Sequence, residues 1–151
     1  MEKAPRPPTR SVRRMDLTLS HCFLPIDDHD RAIAFYHEAL GLEVRSDVSA
    51  EGMRWVVVGS PAQPGVNIVL QPPVANPDAS AGDKKVMGEL MAKGVLGGVN
   101  FATDDCDTTF ERVRAAGAEV VQEPIDQPYG VRDCAFRDPS GNLIRISQDR
   151  A

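Results

Sequence analysis

Three side chains of this 151-residue sequence could take part in chemistry with a small molecule. His21 could act as a general base, a role that histidine fills most often, or it could serve as a hydrogen-bonded cavity residue. Arg145 could grip a carboxylate, phosphate or enolate oxygen with two parallel N–H groups, or it could pair with an internal carboxylate such as Asp133. Trp55, the only tryptophan, could stack on an aromatic ligand or fill space in the hydrophobic core. Both roles stay open for each residue at this point.

The three cysteines have no metal-type spacing and do not predict a reactive site. Cys22 and Cys134 fall in strand patterns, where a thiol acts as a small buried hydrophobic group. Cys106 begins a helix whose dipole favours the thiolate, but three neighbouring aspartates favour the neutral thiol. We therefore predict no catalytic cysteine, and free thiols fit a reducing cytoplasm.

These side chains are positioned by a pattern that occurs twice in the chain. The first copy, His21 to Val44, reads as a strand, a helix from Arg31 to Leu40 ended by Gly41, and the start of a second strand. The second copy runs from Gly97 to Val121 and follows the same order, with Gly117 at the end of its helix. An internal repeat of this kind predicts two similar structural modules.

Two further strand signals follow in each half, so that each half reads strand–helix–strand–strand–strand. They are Arg54–Val58, Val66–Leu70, Arg132–Arg137 and Leu143–Ser147. Because side chains alternate between the two faces of a strand, apolar residues on one face should pack against the helix and the others should face a cavity. The alternation assigns to the cavity face His21, Phe23, Pro25, Asn67, Val69, Gln71, Gly98, Asn100, Ala102, Leu143, Arg145 and Ser147.

This pattern resembles the vicinal oxygen chelate superfamily, which includes glyoxalase I, extradiol dioxygenases, fosfomycin-modifying enzymes and bleomycin-binding resistance proteins. The resemblance rests on His21 opening its strand, on Asp28 to Tyr36 followed by Gly41-Leu42, and on Phe136 to Asn142 before the last strand. It implies an α+β fold in which two tandem βαβββ modules form an open, cup-like, eight-stranded mixed sheet.

The resemblance also divides the chain into segments. We predict a basic flexible leader over 1–15, a first βαβββ module over 16–72, a linker with a helix over 73–96, a second module over 97–148 and a tail over 149–151. The linker helix should run over Asp83 to Lys93, with an apolar stripe that either packs between the modules or forms a lid over the ligand. Packing between the modules is the reading that we favour.

The resemblance implies that a divalent ion would be held by His, Gln or Glu at four positions of the cavity face. His21 stands at the first position, but Val69, Gly98 and Arg145 stand at the other three. Gln71 lies near but is a weak oxygen donor, and the charge of Arg145 repels a cation. We therefore predict no cofactor; the alternative is Zn, Mn, Ni or Fe with His21 among its ligands.

Composition and charge exclude two classes of partner. With 42% hydrophobic and 26% charged residues the chain has an ordinary globular composition, and no apolar run reaches membrane length. The net charge is -5, and the leader holds five basic residues against one acidic residue. The rest of the chain is thus more acidic than the total, which argues against nucleic-acid binding.

Together these observations predict a cytoplasmic, homodimeric protein of the glyoxalase/bleomycin-resistance type. It should be metal-free and should sequester an aromatic or anionic small molecule in its cup. The alternative is an enzyme, either a lyase, isomerase or dioxygenase, with a non-standard metal site or metal-free acid–base chemistry and His21 as the catalytic residue. Tyr129 joins the contacts because its loop borders the pocket in the family. The predicted ligand contacts are His21, Phe23, Trp55, Asn67, Val69, Gln71, Asn100, Tyr129 and Arg145.

Overall fold

The computed structural model describes residues 13–150, so most of the predicted leader lies outside the described residues. The strands are β1 (His21–Pro25), β2 (Glu43–Ala50), β3 (Met53–Gly59), β4 (Asn67–Gln71), β5 (Gly98–Ala102), β6 (Glu119–Asp126), β7 (Val131–Arg137) and β8 (Leu143–Asp149). The helices are α1 (His29–Ile33), which continues as a π-helix over Ala34–Ala39, α2 (Ala81–Ala92) and α3 (Cys106–Ala115).

The strands form two four-stranded mixed sheets that repeat one topology. The strand order is β1-β4-β3-β2 in the first sheet and β5-β8-β7-β6 in the second, and the parallel pairs are β1–β4 and β5–β8. The register repeats as well, because Phe23 lies opposite Val69 and Asn100 lies opposite Arg145. The predicted α+β fold of two tandem βαβββ modules is confirmed.

The first helix begins as predicted but widens in its second half. Asp28 caps its start by accepting a hydrogen bond from the Arg31 N–H at 3.0 Å. Further on, the Leu40 N–H donates to the carbonyl of Phe35 at 3.0 Å, a π-helical bond. The buried side chains of this segment are Ala32, Phe35, Tyr36 and Ala39, which lie on one face of the helix. Gly41, with φ of 75°, ends the helix.

The hydrophobic core crosses the boundary between the modules. Leu24, Val56 and Leu70 of the first sheet pack with Phe35 and Tyr36, and Ile144 of the second module is buried in the same cluster. A second cluster packs α3 against the second sheet through Cys106, Phe110, Val113, Cys134, Phe136 and Ile146. The interior thus joins both modules, and apolar burial on both sides of their boundary favours a fixed arrangement.

The two cysteines of the second cluster are inert by their environment. Both thiols are fully buried, and burial raises the pKa of Cys134 to about 12. Burial raises the pKa of Cys106 too, and the nearby charge of Asp107 adds to this. Cys22 is half-buried and packs against the first cluster. This arrangement agrees with their interpretation as packing residues.

Hydrogen bonds reinforce the module boundary at the turn between β7 and β8. The Tyr36 hydroxyl donates to Asp138 at 2.6 Å, and the Asn142 amide donates to the carbonyl of Pro25 at 2.7 Å. The Ser140 hydroxyl donates to Asp27 at 2.7 Å. Burial raises the pKa of Tyr36 well above its ordinary value, and the Asp138 carboxylate adds to this effect. The turn is a structural connection between the modules.

The linker helix α2 meets the rest of the chain mainly at its end. Ser80 and Asp83 cap its start reciprocally, as the prediction of a helix here requires. Of the predicted apolar stripe, Met91 is buried, Met87 and Leu90 are half-buried and Val86 is exposed. Within residues 13–150, no helix is long and apolar enough to cross a membrane.

Candidate functional site

Each sheet has one face packed against its helices, and we call the opposite face its open face. In the first sheet the middle of the open face is apolar. Phe23, Val69 and Val57 lie side by side on β1, β4 and β3. Phe23 is 62% exposed, and Trp55 lies half-buried on the same face, two residues before Val57. This surface can accept a flat apolar group.

The open face of the second sheet is polar. Asn100, Arg145 and Gln122 lie in one row on β5, β8 and β6, with Ala135 of β7 between the last two. The Ser147 hydroxyl donates to the Asn100 side-chain carbonyl at 3.0 Å. The two open faces thus differ in chemistry, one offering apolar contact and the other hydrogen-bonding groups.

Arg145 pairs with Asp133, which was one of the two roles left open for it. Its Nη1 donates to Asp133 and to Gln122, each at 3.2 Å. The Arg145 side chain stays 31% exposed, and its Nε and Nη2 donate to no acceptor within residues 13–150. Arg145 therefore lies on the open face. Asp133 balances its charge, and its Nε and Nη2 groups can donate to a ligand.

Asp133 is the buried centre of this polar cluster. Besides Arg145, the side-chain amides of Gln122 and Gln127 donate to its carboxylate at 2.7 and 2.9 Å. Burial by itself would raise the pKa of Asp133, but the bonds from Gln127 and Gln122 and the charge of Arg145 outweigh burial and lower it. Sequence reasoning named Asp133 as a partner but missed both glutamines. Gln122 lies between two register shifts of β6, and Gln127 lies in the turn after that strand.

The depressed pKa of Asp133 predicts that its contribution to stability depends on pH. Because its pKa is lower in the folded state, the contribution is present above the unfolded-state pKa and is lost as the pH falls through the folded pKa. We expect Asp133→Asn to lower the free energy of unfolding by about 2 kcal/mol at pH 7 and by clearly less near pH 3. Urea unfolding at the two pH values measures the difference.

Asp104→Asn is the matched control, since Asp104 is exposed and receives no side-chain hydrogen bond within residues 13–150. Its effect should stay within about 0.5 kcal/mol at pH 7. An Asp133→Asn penalty that is equal at both pH values would contradict the assignment of a charged Asp133 to the folded state.

His21 and Asn67 are neighbours at the start of β1 and β4. His21 is exposed, and its Nδ1 lies 2.6 Å from the Ser20 hydroxyl, which leaves Nε2 available. The side chain of Asn67 already has partners within the chain. Its NH₂ group donates to the Ser20 carbonyl at 3.1 Å, and its oxygen accepts from Arg45 at 2.9 Å. Arg45, which sequence reasoning missed, also donates to backbone carbonyls of the β3–β4 loop.

The remaining predicted contacts lie at the ends of the sheets. Gln71 is half-buried at the end of β4, beside Pro25 of β1. Tyr129 is exposed in the β6–β7 turn, two residues after the Asp133 partner Gln127. Within one chain these residues are spread over two sheets, and cavities of about 600 and 290 Å³ lie on the helix side instead.

The four positions at which the family would hold a metal do not fit a divalent ion. Val69 has no donor atom, and the guanidinium of Arg145 carries a positive charge next to the site. Gly98 faces the Leu143 backbone so closely that a Cβ atom would overlap the Leu143 carbonyl oxygen. Within residues 13–150, no three His, Cys, Asp or Glu side chains form a group that could hold a metal. His21 is thus the one suitable donor among the four positions.

Known proteins are similar to this chain in sequence or in fold. The chain is 32% identical over 124 residues to YurT, an uncharacterized protein of Bacillus subtilis strain 168, covering 82% of this chain and 92% of YurT. The solved structure of UcmS2 is 38% identical, with a TM-score of 0.80 over 88% of this chain and 98% of that one. TnmS3, an antibiotic binding protein from Streptomyces sp. CB03234, is 26% identical, with a TM-score of 0.69 over 90% and 99%.

A family model matches almost the whole described chain, over residues 18–146. Its span includes both βαβββ modules and the linker helix between them. Since sequence match, topology and internal repeat agree, the chain belongs to the Glyoxalase/Bleomycin resistance protein/Dioxygenase superfamily.

Proposed function

We propose that this protein binds an aromatic small molecule between an apolar and a polar open face, without a metal ion. The observation that carries the proposal is the contrast between these faces: Phe23 and Trp55 on one, and Arg145 with free donors on the other. Aromatic side chains can stack on a planar ligand, and the guanidinium can donate to its oxygens.

The Arg145–Asp133 pair narrows the ligand class further. Because Asp133 already neutralises Arg145, the site offers directed N–H groups more than an excess of positive charge. Carbonyl or phenol oxygens on an aromatic ring system match such donors better than a multiply charged anion. The likeness to TnmS3, an antibiotic binding protein, supports an antibiotic as the ligand.

The proposal includes a homodimer in a reducing, cytoplasmic setting. A small-molecule site normally encloses most of its ligand, whereas Phe23 and Val48 are largely exposed on the open face of a single chain. A second copy that places its polar open face opposite the apolar one would enclose the ligand. The three free cysteines agree with a reducing compartment.

Fluorescence of Trp55 tests the proposal directly, since it is the only tryptophan. Titration with a hydroxyanthraquinone should quench this fluorescence to saturation, with a dissociation constant in the micromolar range or tighter. Phe23→Ala should weaken binding about tenfold, because it removes one stacking surface. Val86→Ala, on the exposed side of α2, should leave the affinity unchanged.

Calorimetric titration of Trp55→Ala completes the test, because it needs no fluorescent reporter. Loss of affinity in this variant is expected. If neither fluorescence nor thermal stability of the wild-type chain responds to any member of a panel of aromatic probes, the proposed function is wrong.

His21 favours one second candidate, metal-free acid–base catalysis. In the tautomer whose Nδ1–H donates to the Ser20 hydroxyl, the free Nε2 could accept a proton from a ligand. Elemental analysis after dialysis against Zn, Mn, Ni and Fe in turn distinguishes a metal-dependent enzyme from the two metal-free candidates, ligand binding and acid–base catalysis. We expect well below one ion per chain, and about one tightly held ion would overturn the metal-free proposal.

A further inference from the structure

The middle of the polar open face has free hydrogen-bond donors, while its acceptors are already occupied. The residues concerned are Asn100, Arg145 and Gln122, which lie in one row across the second sheet. Arg145 can only donate, because a guanidinium has N–H groups and no acceptor. Whether the row also offers acceptors to a ligand therefore depends on which way its two amide side chains are turned.

The amide of Gln122 is fixed at both of its ends. Its Nε2 donates to the Asp133 carboxylate at 2.7 Å and to the Asp133 backbone carbonyl at 3.2 Å. Its oxygen accepts from Arg145 Nη1 at 3.2 Å. Because a guanidinium cannot accept and a carboxylate cannot donate, the amide cannot turn over without losing these bonds. The oxygen of Gln122 is therefore held against Arg145.

The amide of Asn100 is fixed at its oxygen alone. Ser147, two residues after Arg145 on β8, donates its only O–H to Asn100 Oδ1 at 3.0 Å. The Nδ2 group of Asn100 donates to no acceptor within residues 13–150, and the same holds for Nε and Nη2 of Arg145. Asn100 lies opposite Arg145 in the register, yet its oxygen forms no bond with that side chain among these residues.

We propose that this face selects ligands whose facing edge carries acceptors and no donors, and that Ser147 sets the preference by positioning the amide of Asn100. The inference rests on the proposed function, because it concerns the same site. A ketone or quinone oxygen can accept from the free groups of Arg145 and Asn100. A ligand N–H at the same place would leave donors unpaired on both sides once the ligand excludes water, which costs affinity.

Three planar tricyclic probes of the same outline test the preference, because they differ in one group. Fluorenone carries a carbonyl acceptor at its central position, carbazole carries an N–H donor there, and fluorene carries neither. In equilibrium dialysis against the full-length chain, we expect the dissociation constant of fluorenone to be about tenfold lower than that of carbazole. Fluorene should lie closer to carbazole, because it too leaves the donors of the protein unpaired.

Ser147→Ala tests the positioning role. Without the hydroxyl, the Asn100 amide can rotate and turn its oxygen toward Arg145 or the ligand. The ratio of the carbazole and fluorenone dissociation constants should then fall to about threefold or less. Ser147→Thr keeps the hydroxyl and should keep the wild-type ratio. Ser49→Ala, at an exposed serine of β2, should leave the ratio unchanged. A general loss of packing would weaken both probes alike and would not change the ratio.

The outcomes separate this inference from the proposed function. Equal binding of the three probes, or tighter binding of carbazole, would overturn the donor preference and leave ligand binding between the two faces intact. Binding of the hydroxyanthraquinone without binding of fluorenone would do the same. A Ser147→Ala ratio equal to that of the wild type would overturn the role of Ser147. If neither the hydroxyanthraquinone nor any of the three probes binds, the proposed function and this inference are both wrong.

Discussion

Replacing Gly98 with alanine should lower the free energy of unfolding by about 3 kcal/mol, among the largest effects of any small substitution in this chain. Gly98 opens β5 and lies opposite Leu143 of β8. A Cβ atom there would overlap the carbonyl oxygen and carbon of Leu143, which are backbone atoms. Backbone in a paired strand cannot swing aside as the end of a long side chain can, so the pair of strands must shift. Urea unfolding followed by circular dichroism measures the loss.

Gly97→Ala is the matched control one residue earlier. No atom lies within 4 Å of the position that its Cβ would take, so its effect should stay within about 0.5 kcal/mol. Equal losses in the two variants would contradict the close approach of β5 to Leu143. Gly98 also stands at a position where the family would hold a metal. Because of the same overlap, Gly98→His cannot restore a metal ligand there without moving β8.

The fold could be predicted because its signals are local and occur twice. Alternation marks each strand, Gly41 and Gly117 end equivalent helices with φ of 75° and 92°, and the shared order of elements identifies the modules. Alternation also placed Phe23 and Arg145 on the open faces, because a strand has only two sides. These signals can be recognised without knowing any contact between distant residues.

The missed features depend on such distant contacts or on departures from regular geometry. The π-helical turn over Ala34–Ala39 was missed, because an extra residue in one helical turn leaves no separate signal in a short sequence pattern. Gln122 reaches Asp133 from a strand with two register shifts, and Gln127 reaches it from the turn after that strand. Gly98 was interpreted as a lost metal ligand, whereas the structure adds a packing reason for glycine there. The ligand contacts and the metal-free state stay predictions.

Asp138→Ala should lower the free energy of unfolding by about 4 kcal/mol, because it removes the acceptor on which the module boundary depends. Asp138 is almost fully buried and accepts from the Tyr36 hydroxyl at 2.6 Å and from the Ser140 N–H, the Asn142 N–H and the Asn142 amide, each at 2.9 Å. Alanine leaves these donors buried without partners. Urea unfolding at neutral pH measures the change.

Two variants distinguish the loss of the hydrogen bonds to Asp138 from a general loss of packing. Tyr36→Phe keeps the ring in the core and removes one donor, so it should lower the free energy of unfolding by about 1.5 kcal/mol. Asp104→Ala, at an exposed aspartate, should leave it within about 0.5 kcal/mol. Since Tyr36 belongs to the first module and Asp138 to the second, their coupling can be measured in the double variant. Additive losses would mean that the buried bond between them contributes little to the connection between the modules, which the shared core around Ile144 and the bonds of Ser140 and Asn142 would then provide.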